Sequence, residues 1–251
     1  MKTSHKQLTA IIATGALLLC FPASAAISFD QNVTAIFGSG NGNSSWTVDK
    51  ANGIELGLRA KQRFPAANIF GSNGDGTYNQ VAGNNGSGRA LWNFEWHINS
   101  GAGNALNSLT YLLKIDTDPS AGINYTTSFD PINPVNNPAG FWDHSIGNNT
   151  TANGAGTEAN SIASYASLIA DSNNNIAQNS WYIGWYATPF NPNALGSYNF
   201  RLEAYSGANL LAATEITVNA VPEPSTYLAG ALLLLPFGAS TIRIMRKKLT
   251  A

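Results

Sequence analysis

Leu91-Trp92-Asn93-Phe94-Glu95-Trp96-His97-Ile98-Asn99 decides the fold. Trp92, Phe94, Trp96 and Ile98 fall on one side of an extended chain, and Asn93, Glu95 and His97 on the other. A period of two is that of a β-strand with one face on a core. The same alternation recurs at Leu109 to Ile115, at Trp181 to Tyr186, at Tyr198 to Tyr205 and at Thr214 to Val218. Weaker strands are expected at Val33 to Phe37 and at Ile54 to Ala60. In the third of these segments Trp181, Ile183 and Trp185 share one strand face, and Tyr182 and Tyr186 the other. Strands with one apolar face stack sheet on sheet. The expected fold is therefore all-β: an antiparallel β-sandwich of jelly-roll type whose two outer faces are wet. A closed barrel is the alternative. One short helix is expected from Ala159 to Ala170, with Ile162, Tyr165, Ala166 and Ile169 on one face.

Loops rich in Gly, Asn, Ser and Pro separate these segments, notably Gly38 to Ser45, Gly71 to Gly88 and Ser120 to Gly156. The last is long for a compact domain, which marks it as functional, mobile or holding a short element.

Both chain ends read as addresses. Lys2 and Lys6 precede an apolar run from Leu8 to Phe21, and Ala23-Ser24-Ala25 is a small-residue cleavage motif. Residues 1–25 thus read as a signal peptide cut before Ala26. Leu19 stands where a lipoprotein signal wants a small residue before Cys20. At the other end Val221-Pro222-Glu223-Pro224-Ser225-Thr226 leads into an apolar stretch, about 227–242. That stretch is close to the shortest that spans a bilayer. Arg243, Arg246, Lys247 and Lys248 follow it and belong on the cytoplasmic side. Pro222 and Pro224 keep the junction extended. Read physically, this is a membrane anchor with an accessible segment on its outer side.

The order Pro-Glu-Pro, apolar span, basic cluster resembles the PEP-CTERM sorting signal of Gram-negative bacteria. The resemblance covers Val221 to Lys248. It implies recognition of Pro222, Glu223 and Pro224 by an exosortase, an integral membrane transpeptidase-like enzyme. It further implies passage to the cell surface or an exopolysaccharide matrix. Within residues 26–220, Asn52 to Lys61, Leu91 to Trp96 and Asp116 to Gly122 look like stretches that recur in exported proteins of this type. No activity is attached to that resemblance, which strengthens sorting and weakens an enzyme claim.

The exported segment is cysteine-free, since Cys20 leaves with the signal peptide, so packing alone must hold it. The whole chain has a formal net charge of −1 over 251 residues. Six basic residues lie in the two address segments, however. Residues 26–220 keep seven basic against thirteen acidic side chains, a net of −6. Such a surface does not suit nucleic acid, which needs a basic patch.

Candidate sites are few. A glycosidase needs two carboxyl groups across a cleft; Glu95 is the first candidate and Glu203 its partner. The plainer reading makes both outward strand residues, paired with cations such as Arg201 or Lys114. His97 and His144 have no zinc-ligand spacing. Asp116, Asp118 and Asp130 are candidate ligands for calcium, and Asn73 to Asn79 a weaker one; Asn/Asp-Gly pairs also mark ordinary turns. Trp142, Tyr182 and Tyr186 are candidates for an aromatic sugar platform, against the commoner fate of aromatics in cores. No G-x-S-x-G elbow, P-loop or dinucleotide fingerprint is present. The expectation is a non-enzymatic surface or matrix protein, adhesive or structural. A carbohydrate-binding module is the alternative, and a glycoside hydrolase the third reading.

Overall fold

A computed structural model of the protein describes residues 26–38, 42–65, 69–133, 143–186 and 189–223. The strands are β1 (Ser28–Gln31), β2 (Trp46–Ala51), β3 (Ile54–Gln62), β4 (Thr77–Val81), β5 (Trp92–Asn99), β6 (Thr110–Ile115), β7 (Thr127–Phe129), β8 (Ser145–Gly147), β9 (Ile176–Trp181), β10 (Gly196–Ser206) and β11 (Asn209–Val221). They form two sheets, in the orders β1-β2-β3-β5-β9-β8 and β4-β11-β10-β6-β7. The one α-helix among the described residues is α1 (Ile162–Ala170). The fold is thus all-β, two sheets with a short helix.

Phe94 of β5 stacks on Phe200 of β10 at 4.5 Å, and Trp92 packs on Tyr198 at 5.6 Å. Trp181 of β9 meets Phe129 of β7 at 5.9 Å. These pairs join the inner faces of the two sheets, where Leu56, Leu58, Leu113, Ile115, Leu202 and Val218 are also buried. Burial of each such side chain stabilises by about 1.5–3 kcal/mol.

Turn chemistry fixes the register. Asn52 and Gly53 both have positive φ (53° and 79°) between β2 and β3, with Ala51 opposite Ile54. This is the Asn-Gly hairpin turn whose twist matches that of the strands. The helix begins with a capping box: Ser161 accepts from the Ser164 backbone N–H, and the Ser164 side chain returns the bond. Tyr165 and Ile169 face the core, whereas Ile162 and Ala166, expected on the same face, are exposed.

Several expectations need correction. The pairing is not all antiparallel, because β4 runs parallel to β11. The long loops hold β4, β7 and β8. Jelly-roll alternation between sheets describes only the run β3-β4-β5-β6, since β1-β2-β3 and β10-β11 stay within a sheet. Val33 to Phe37 keeps its alternation, with Val33, Ala35 and Phe37 buried, but is not a ladder strand. Its backbone bonds to side chains instead. Val33 pairs with the Asn43 amide, the Thr34 N–H donates to Glu55, and Gln178 bonds both Ala35 and Phe37. The segment is a strap over the outer face of the first sheet. That face is dry: Glu55, Arg59, Lys61, Glu95 and His97 are all buried. The second sheet's outer face is wetter, carrying Lys114 and Arg201 at 27 % side-chain exposure each.

The segment Trp181 to Tyr186 is not a strand. β9 ends at Trp181, and Ile183–Trp185 is a 3-10 turn. Gly184 lies so close to the Tyr182 ring that a Cβ there would overlap it. The signal peptide, Pro224, the apolar span at about 227–242 and Trp142 lie outside the described residues. Among the described residues no helix is long and apolar enough to cross a membrane.

Candidate functional site: a cleft on the outer face of the first sheet

β3 and β5 place Arg59 and Glu95 directly opposite each other, with Lys61 two residues along the same face. The Arg59 Nε donates to Glu95 Oε2 at 2.6 Å, and the Lys61 ammonium meets Glu95 Oε1 at 2.6 Å. Arg59 is held between the rings of Trp46 and Phe70, 4.1 Å from each centroid, and bonds the carbonyls of Gly42 and Ser44. Burial lowers the pKa of both cations, against the pull of Glu95. A delocalised guanidinium suits this position because it is weakly hydrated and stacks on aromatic faces.

A second buried network lies beside it. The Gln178 amide donates to Ala35 O and His97 Nδ1, which leaves the His97 proton on Nε2, 2.9 Å from Glu55 Oε1. Thr34 donates to Glu55 through its N–H and its hydroxyl, and Lys50 caps it. Burial alone would raise the Glu55 pKa. Bonds from His97, Lys50 and Thr34 overcome it and bring the carboxyl down to about 2.

Above Glu95 the surface opens into a cleft of about 330 Å³. Its walls include Trp46, Arg63, Asp143, Glu158, Asn179 and Trp185. The Asn179 amide donates to Asp143 Oδ1 at 3.0 Å and to His144 Nδ1 at 3.1 Å. Nε2 of His144 therefore carries the proton, donated to Pro131 O at 2.7 Å. Burial pushes the His144 pKa down to about 4, so the ring is neutral near pH 7. Trp185 is 39 % exposed at the mouth. Arg89 lies 5.5 Å over its ring, and Tyr182 meets it at 86°.

Glu95 thus lines a cleft, but Glu203 does not face it. Glu203 lies on the outer side of the second sheet, bound by Arg201, Lys114 and Tyr205. The two carboxylates lie on the outer faces of different sheets, and the candidate catalytic pair is not formed. His97 lies on the outer face near Trp46, and His144 on the inner face against Trp96 and Tyr165. They share no site.

The calcium set is not assembled either. Asp116 follows β6, while Asp130 reaches back to the Tyr111 N–H near the start of β6. Antiparallel pairing of β6 with β7 sets them about 13 Å apart at ~3.3 Å per residue. Their oxygens serve the backbone: Asp116 accepts from Asp118 and Asn124, and Asp130 from Ile132 and Asn133. Asp118 accepts from Ser120, and Asp75, in the weaker candidate loop, from Thr77. Among the described residues no three His, Cys, Asp or Glu side chains gather as a metal site.

Tyr182 and Tyr186 form no platform. They flank the 3-10 turn; Tyr182 donates to Gly88 O at 3.1 Å, and Tyr186 packs into the core on Phe129 at 5.0 Å. The exposed aromatic of this segment is Trp185, which alternation put on one face with Trp181 and Ile183, both buried here. The signal was the run Trp-Tyr-Ile-Gly-Trp-Tyr itself, which has apolar or aromatic groups on both faces and so fits no half-wet strand. Comparison with known proteins finds no match to this chain among family models, curated proteins or solved structures.

Proposed function

We propose that this chain is an exported surface or exopolysaccharide-matrix protein, handed to an exosortase at Pro222, Glu223 and Pro224, which works by binding and not by catalysis. The observation that carries the sorting part is where the last described strand ends. Val221 is the last residue of β11 and still pairs with Val81 of β4; Pro222 follows at once. That strand ends where the address begins, which suits a removable tail. The tail itself supplies the membrane contact of the precursor.

Glu95 supports binding over catalysis. A glycosidase carboxylate must attack a sugar or exchange a proton. Glu95 is 2 % exposed and already holds two cations at 2.6 Å. Its role is to keep the strand face intact beneath the cleft.

Two experiments test this reading. The double change Pro222→Ala and Pro224→Ala should leave the unprocessed precursor in the inner membrane, seen as a larger band in membrane fractions. Normal processing of that variant would sink the sorting claim. The exported protein should also be retained saturably on the host's exopolysaccharide, with and without added calcium. Absence of retention in both conditions would redirect the search to a protein partner in the envelope.

A further inference from the structure

We infer that the cleft over Glu95 is a binding site for a single sugar unit; this rests on the matrix-binding reading above and gives it an address.

Three observations converge. The cavity, about 330 Å³, lies at the small end of the range for small-molecule sites, the size of a ring and not of an extended chain. Trp185 presents a half-exposed indole at the mouth, its orientation set by Arg89 and Tyr182 before any ligand arrives. A flat ring fixed in this way suits the apolar C–H face of a pyranose, and its ordering is already complete.

The third observation is the polar rim. Asn179, Asp143, Glu158 and Arg63 place acceptors and donors around the opening, as a polyhydroxylated ligand needs.

Charge does not narrow that class. Arg59 and Lys61 outnumber Glu95 beneath the cleft. Asp143 and Glu158 stand on the exposed rim with Arg63, and Arg89 lies over Trp185 at the mouth.

The test uses the full-length protein in a detergent without a sugar headgroup. Saturation-transfer NMR would be run with glucose, galactose, mannose and their N-acetylamino forms, and with the matching uronic acids. At least one of these sugars should give saturation transfer and should compete with exopolysaccharide for the protein. Trp185→Ala should weaken that binding roughly tenfold with the melting temperature unchanged, since the ring lies outside the core. Saturation transfer from none of the sugars, or undiminished in Trp185→Ala, overturns the assignment. Retention on exopolysaccharide that persists in Trp185→Ala would keep the matrix reading and discard this cleft. Loss of retention by the unaltered protein would discard both.

Discussion

Glu95 carries two buried cations, and Arg59 and Lys61 have no water to turn to when it is lost. Breaking a buried pair from one side leaves uncompensated charge. Glu95→Gln should therefore destabilise the protein by about 3–5 kcal/mol in urea titration. Glu203→Gln, on the wetter sheet face, should cost clearly less in the same titration. Acid should act through His144 first. Its folded pKa is about 4 against an ordinary 6.5, so between those values the unfolded chain binds more protons. Stability should fall as pH drops through that window, by at most about 3 kcal/mol. Glu55, with a folded pKa of about 2 against 4.5, adds a second loss as pH falls below 4.5. Urea midpoints measured from pH 7 to pH 3 check both, and His144→Gln should flatten the upper part of the curve.

The strap Val33 to Phe37 is the element that separates this sandwich from one with two wet faces. It lies close because Gly57 leaves room: a Cβ there would come within 3.1 Å of both Trp46 and Val33. Gly57→Val should overpack this contact and cost about 1–3 kcal/mol. The loss should be visible as faster hydrogen exchange at the Thr34 and Phe37 amides, which bond Glu55 and Gln178. Unchanged exchange at those amides would mean that the strap is held independently of Gly57.

At the scale of the whole molecule, the parallel pair β4–β11 joins the first third of the chain to the last described strand. Thr217 to Val221 lie opposite Thr77 to Val81, and the Ala82 N–H donates to Val221 O. Residues 26–223 should melt as one cooperative unit. Ending the chain at Ile216 strips β4 of its partner and should lower the melting temperature markedly by calorimetry. Equal melting of the two would show that β4 and the end of β11 add nothing to the fold.

Sequence by itself determined what depends on local pattern. The period of two in Trp92 to Ile98, Tyr111 to Ile115 and Tyr198 to Ala204 fixed which side chains meet in the core, because a strand's geometry admits only two faces. The composition of each end of the chain set the expectations of export and sorting in the same local way. Tertiary structure alone decided the second face of the first sheet. Alternation marks Asn93, Glu95 and His97 as polar, which ordinarily means wet. Here a strap distant in sequence bonds Glu55 and Gln178, the partners of His97, while Arg59 and Lys61 from the next strand pair with Glu95 and Asn93 donates to Ser180 of β9. The cleft has the same origin. Asp143, Glu158, Asn179 and Trp185 share no spacing that a sequence pattern records, and strand order together with one 3-10 turn brings them to a common rim.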